Sequence, residues 1–226
     1  KSEGIAGTFG WCMFDYNTHR DFGSGDRICY HGVMDMFRNP KLAAAVYASQ
    51  QERTPVLEVS STMDIGEHPA GAVGTVAVFT NADRVDVYRN DLPAGSFSPA
   101  AEYDGLAHPP VLINDTVSAL LQSQEGMSRR TAAMVRDVLL AVASRGSDLP
   151  LSVLAKAAYL MMFKGFTREE GVRLYNNYVA GWGGQVVRWR FDAVKDGKVA
   201  ASVVRCPGET LALEVKVDTD TLADGP

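Results

Sequence analysis

A chain of 226 residues that is 46% hydrophobic and 22% charged is long enough for one large domain or two modest ones, each with its own core. Its net charge of -5 and pI near 5.4 argue against a nucleic-acid partner, since the nearest thing to a basic cluster is Arg129-Arg130, and no apolar run approaches the length that spans a bilayer. Cys12, Cys29 and Cys206 are widely spaced and lack a CxxC pattern, so no disulfide framework, zinc site or other cofactor is expected, and the reduced thiols of a cytosolic protein are the plain reading.

The first element, Ile5 to Phe14, is a nearly continuous apolar run with two glycines, the pattern of a buried parallel strand. A strand buried on both faces needs neighbours on both sides, which four preceding residues cannot supply, so the chain is expected to be part of a longer protein. Asp15 to Asp35 is polar, aromatic and glycine-rich, too long and too ionisable for an ordinary connector. Pro40 then opens an alanine-rich helix expected to reach about Arg53, with Thr54-Pro55 as its boundary.

Beyond Pro55 the period changes. Val56 to Val59, Ala72 to Thr80 and Val85 to Tyr88 are short β-rich runs separated by Gly, Pro, Asn and Asp, as in an antiparallel sandwich. Met127 to Val179 interrupts them with three helices. Ser128 can cap the first, which puts Ala132, Val135, Leu139 and Val142 on one face. Pro150 opens the second and Gly165 ends it; Thr167 and Glu170 form a capping-box match for the third. Strands return where Val187, Trp189 and Phe191 alternate with Arg188 and Arg190. Asp196-Gly197 supplies a hairpin turn before Val199 to Val204, and Leu211 to Val217 closes the set.

The constellation that points to chemistry is Gly10-Trp11 followed by Asp15, Asn17, His19, Arg20, Asp21 and Asp26, then Tyr30-His31 and Asp35. A sugar presents an apolar C–H face, which an indole plane covers, and a hydroxyl rim, which carboxylates and amides bind. Trp11, Asp15 and Asn17 are therefore the candidate substrate-binding residues, and His19 joins them by its proximity in the same loop. The plainer alternatives stay open: a strand-end aromatic is often core, His19 and His31 lack HxH or HExxH spacing for a metal, and Asp21 and Asp26 suit turns around Gly23-Ser24-Gly25.

The segment GTFGWCMFDYNTHRDFGSGDRICYHGVMDMFRNPKLAAAVYASQ resembles the end of the catalytic barrel in glycoside hydrolase family 2, the β-galactosidase group. Its G-x-x-W-x-x-x-x-D strand and its GVMDMFRNPK run both match. VAVFTNADRVDVYRN is similar, more loosely, to the start of the immunoglobulin-like domain that follows the barrel there. The resemblance implies an α+β chain in which residues 1–54 are the last strand and helix of a (β/α)8 barrel. Residues 55–226 would then be an immunoglobulin-like β-sandwich with a helical insertion at about 127–179.

It also implies a retaining glycosidase acting on O-glycosidic bonds, with a β-galactoside-like carbohydrate as partner. Such an enzyme needs two carboxyl groups about 5 Å apart. In the family both lie on strands before the final one. Glu3 is too close to Trp11 to be the nucleophile, and Asp15, Asp21 and Asp26 do not match the catalytic positions, so the chain alone is expected to be inactive. Trp11 carries over as one wall of the sugar site and Asp15 as an acidic position beside it.

Two other readings concern the β domain: a carbohydrate-binding module using Trp182 or Trp189, or a purely structural domain that buttresses the barrel and supports a homo-oligomer. Trp189, alternating with arginines, is expected to point inward. Residues 1 to 50 should be disordered, dock on the β domain, or exchange with another copy, with Ile5 to Phe14 as the self-association segment.

Overall fold

Residues 4, 7, 9–20, 27–64, 68–181 and 187–206 are described by the computed structural model. Asp21, Asp26, Trp182 and the Leu211 to Val217 run lie outside them. In the N-terminal layer, β1 (Tyr16–Asn17) and β2 (Ile28–Cys29) form a two-stranded antiparallel ribbon, followed by α1 (Leu42–Ala48). The expected buried strand through Phe14 is corrected. Phe9, Trp11 and Met13 are exposed and carry no strand; Phe14 alone makes a parallel bridge, to Met34. The physical reason is that, among the described residues, this segment has a backbone partner on one edge only: Val33 N–H donates to the Cys12 carbonyl, Met34 N–H to that of Met13, and Asp15 N–H to that of Met34.

The alternating apolar runs make two antiparallel sheets. One has the order β3 (Leu57–Val59), β4 (Val76–Thr80), β7 (Val111–Ile113). The other has the order β6 (Leu92–Phe97), β5 (Arg84–Arg89), β8 (Trp189–Lys195), β9 (Lys198–Arg205). Val76 and Val78 from the first sheet and Val85, Val87 and Phe191 from the second enter one core, while Ala77, Asp86 and Arg190 alternate outward. This is the period-two consequence of the pleat. Trp189 is only 1% exposed, as expected of a residue alternating with arginines. Arg190 lies outside, stacked on the Tyr88 ring at 4.2 Å and paired with Asp91 at 2.7 Å.

Both hairpins of the larger sheet turn on consecutive left-handed residues, Asn90-Asp91 and Asp196-Gly197, which match the twist of the flanking strands. The strand β6, which the sequence analysis does not pick out, contains Pro93. It sits at the sheet edge, where a missing N–H breaks no ladder on the outer side.

The helices are α2 (Ser118–Glu125), α3 (Arg129–Arg145), α4 (Leu151–Lys164) and α5 (Arg168–Tyr175), the last running into a π-helical turn at Asn176–Ala180. They lie between β7 and β8 in the chain. The helical run thus begins at Ser118 rather than near 127, because the Asp115 carboxylate accepts the Val117 and Ser118 N–H groups and starts a turn there. Ser128 caps α3, and Ala132, Val135 and Leu139 are buried while Val142 stays exposed. Gly165, in the left-handed region, ends α4.

Thr167 caps α5 as expected, accepting from Glu170 N–H. The Glu170 carboxylate departs from the capping box and goes to Arg173 at 2.7 Å, since a full ion pair outweighs one neutral donor. Arg173 also pairs with Glu125 at 2.6 Å, and Glu125 accepts the Tyr178 hydroxyl at 2.6 Å, tying α5 to α2.

The first helix stops at Ala48 and not at Arg53. Asn81, buried beyond β4, donates to the carbonyls of Gln51 and Thr54 and accepts from Val56 N–H. These three bonds turn the chain out of α1 and into β3, and so fix the N-terminal layer against the smaller sheet.

Candidate functional site

The candidate site grows from a motif in which nearly every residue has a mechanical task. At Gly32 a Cβ would fall 2.3 Å from both the Asp15 nitrogen and the Met34 oxygen, so only glycine lets the two segments touch. Its N–H donates to Asp15 Oδ1 at 2.8 Å. The same oxygen accepts Lys41 Nζ at 2.6 Å, and the Asp15 side chain is only 3% exposed. A nearly buried carboxylate needs such partners, because an unpaired charge out of water is costly. Lys41 also donates to the Tyr30 carbonyl.

Asp35 closes the next turn. Its Oδ1 accepts the Phe37 and Asn39 N–H groups, and its Oδ2 accepts Asn39 Nδ2 at 2.7 Å. The side-chain bond from Asn39 first, with the backbone bonds from Asn39 and Phe37, holds the Asp35 carboxyl below its ordinary range against the opposing effect of burial. Arg38 stacks its guanidinium on the Phe14 ring at 3.8 Å. Pro40 then delivers Lys41 to the start of α1.

On this base stands Trp11, 76% exposed. Its Nε1 donates to the Tyr16 hydroxyl at 3.3 Å, and the two rings meet edge-on with centroids 6.3 Å apart. The indole is thus an accessible plane with its edge anchored. Asn17 is exposed next to Tyr16 in β1, and His19 is exposed two residues further on. The structure therefore links Trp11 to the β1 ribbon through Tyr16 and turns Asp15 inward to hold the layer together. Tyr16 and Lys41 are the partners that the sequence analysis assigns no role. Lys41 lay inside the quoted motif, but its reach to Asp15 needs the chain reversal at Gly32, which no local pattern announces.

A recess of about 620 Å³ runs between α1 and β3, walled by Leu42, Ala45, Val59, Ser61 and Arg205 among others. Trp11, Asn17 and His19 are not among its walls. Its α1 side is lined by Ala44, Ala45 and Ala48, and its polar groups, Glu58, Ser60, Ser61, Thr62 and Arg205 among them, come from β3, the loop after it and β9. Among the described residues no group of His, Cys, Asp or Glu is arranged to hold a metal ion, and no helix is long and apolar enough to cross a membrane.

Comparison with known proteins decides the relationship. No family model matches the chain. The β-galactosidase of Thermoanaerobacterium thermosulfurigenes is 47% identical over 116 residues, 50% of this chain and 16% of that protein. Half of the chain is β-galactosidase-like. The β-galactosidases of Thermoanaerobacter pseudethanolicus and Rhizobium meliloti are 42% and 32% identical over 110 and 116 residues. The matched region spans only 15–16% of the length of these β-galactosidases. Among solved structures, a β-glycosidase from Bacteroides vulgatus aligns with 88% of this chain and 16% of its own, at 14% identity and a TM-score of 0.45. β-Glucuronidase 3 of Bacteroides uniformis aligns with 86% of this chain and 16% of its own, at 13% identity and a TM-score of 0.43.

Proposed function

We propose that this chain is a C-terminal part of a retaining, β-galactosidase-like glycoside hydrolase. In this reading residues 1–54 complete the catalytic (β/α)8 barrel and residues 55–226 form an immunoglobulin-like sandwich with a helical insertion. The observation that carries it is the 47% identity to a β-galactosidase over half of the chain. Trp11 supplies the plane for the apolar face of the sugar, and Asn17 and His19 supply polar contacts at its rim. Asp15 acts beneath them, through Gly32 and Lys41.

The two carboxyl groups of the reaction would come from outside this chain. Asp15 and Asp35, the described carboxylates of the first fifty residues, both accept backbone N–H bonds. A nucleophile must instead face the anomeric carbon, about 5 Å from its acid partner. Of the two tryptophans that a sugar-binding role of the β domain would use, Trp189 is buried, which supports the scaffold role for its part of the sheet.

The test is hydrolysis of a chromogenic β-galactoside. The isolated chain should release no chromophore, while the protein translated from the whole reading frame should. Turnover by the isolated chain would refute the claim that the catalytic pair lies elsewhere. A whole protein inert towards galactosides, glucuronides and mannosides would refute the glycosidase reading.

A further inference from the structure

An exposed indole turns about its side-chain bonds, and a ligand that stacks on a turning ring must first order it, which weakens binding. The Trp11 ring is held by its polar edge while the side chain stays largely exposed. Its Nε1 donates to the Tyr16 hydroxyl at 3.3 Å, and the Tyr16 ring stands at 87° to the indole.

Tyr16 is in turn fixed from below. In the ribbon it pairs with Cys29 of β2, a residue only 1% exposed. Side chains of a directly opposed pair share one face of the ribbon, and the Tyr16 hydroxyl hydrogen-bonds the Cys29 sulfur. The residue before it, Asp15, is tied to Gly32 and Lys41. The hydroxyl therefore stands between a buried thiol and an exposed indole. A phenolic oxygen both donates and accepts. The bond from Trp11 pulls the Tyr16 pKa down, but Cys29 and the loss of solvent outweigh it and hold the group above its ordinary 10.0. The oxygen thus keeps its hydrogen, gives it to the sulfur and turns a lone pair to the indole N–H.

We propose that Tyr16 is a positioning residue of the sugar site, which touches no substrate and acts by holding the Trp11 plane in one orientation before the sugar arrives. The inference rests on the proposed function, in which Trp11 is the platform. A plane set in advance strengthens binding in the ground state and the transition state alike, so its loss falls on KM and spares kcat.

The test is a double-mutant cycle in the steady-state kinetics of the full-length protein on a chromogenic β-galactoside. Tyr16→Phe removes the hydroxyl and keeps the ring. It should raise KM about fivefold, the effect of one hydrogen bond, with kcat kept within about twofold. In a Trp11→Ala background the same substitution should change nothing further, because the residue through which Tyr16 acts is gone. Equal effects with and without Trp11 would overturn the proposal, since a hydroxyl that merely stabilises the fold is lost equally in both. Unaltered kinetics in Tyr16→Phe beside a large loss in Trp11→Ala would overturn it and leave the platform standing; unaltered kinetics in Trp11→Ala would remove the platform, and the proposal with it. A readout independent of turnover is the Trp11 indole N–H resonance in the NMR spectrum of the 226-residue chain, identified by its loss in Trp11→Phe. It should move upfield in Tyr16→Phe, and an unmoved resonance would show that the hydroxyl does not hold the ring.

Discussion

Replacing Gly32 by alanine tests whether the N-terminal layer is held as described. The added methyl would lie 2.3 Å from the Asp15 nitrogen and the Met34 oxygen and 2.4 Å from the Phe14 carbonyl carbon, all backbone atoms that cannot rotate aside. The two segments must separate by about 1 Å to restore ordinary contact. That separation breaks the charge-assisted bond from Gly32 N–H to Asp15, worth about 2 kcal/mol, and strains the three backbone bonds that join residues 12–15 to 33–34, worth about 1 kcal/mol each. The cost is about 5 kcal/mol, enough to detach a layer of this size while leaving the sandwich folded. Gly126→Ala is the control: its Cβ meets nothing within 4 Å, and only the left-handed φ of +63° is penalised, at about 1 kcal/mol. Hydrogen exchange read by mass spectrometry should show protection lost over residues 12–15 and 33–49 in Gly32→Ala but kept in β5 and β8. Unchanged protection in the N-terminal layer would refute the close contact at Gly32.

Asn81→Leu should cost about 3–5 kcal/mol in urea unfolding, because it leaves the Gln51 and Thr54 carbonyls and the Val56 N–H without their partner; a loss below 1 kcal/mol would contradict the clamp. Trp11→Ala should leave stability within about 0.5 kcal/mol, as the side chain is exposed, yet, on the proposed function, should lower kcat/KM of the full-length protein on a chromogenic β-galactoside at least tenfold by removing the proposed sugar platform; unaltered kinetics would remove Trp11 from the site. Stability should also depend on pH through the α2–α5 tie. Glu125 is held below its ordinary 4.5, first by Arg173 and then by Tyr178, so its contribution is complete above that value and is lost as pH falls through the lower folded value. Burial, and then Glu125, push Tyr178 up to about 12 from 10.0; its contribution, about 2 kcal/mol, is complete below pH 10 and is lost between 10 and 12. Urea midpoints across pH 8–12 should fall less steeply in Tyr178→Phe, and parallel curves would refute this assignment.

The elements legible in the sequence are those whose cause is local. Ser128, Thr167 and Gly165 announce helix ends by their own chemistry, and Asp196-Gly197 announces its hairpin. The alternation around Trp189 likewise gave its inward direction. What was illegible depends on distant residues. The end of α1 is decided by Asn81, some thirty residues away. The strand β6 exists because β5 offers it an edge, despite Pro93 and Gly95. The run through Phe14 has the composition of a buried strand, yet Phe9, Trp11 and Met13 are exposed, as the shortage of neighbours noted in the sequence already implied. In the candidate site, Trp11 stood out by residue type, whereas the inward turn of Asp15 depends on Lys41, twenty-six positions later.

The place of the helices between β7 and β8 has a consequence for how the sheet is assembled. The hairpins β5–β6 and β8–β9 are each local, but their junction pairs Arg84 with Val194 and Arg89 with Trp189, about a hundred residues apart, the kind of long-range closure that slows folding. At ~5–20 residues per second on a ribosome, the inner edge of β5 waits roughly 5–20 s for β8 to emerge. During that interval Val85 and Val87 belong to an unpaired strand edge, open to any other chain that can add to it. The yield of soluble protein should therefore be set by how soon β8 arrives, and less by the stability of the finished sandwich.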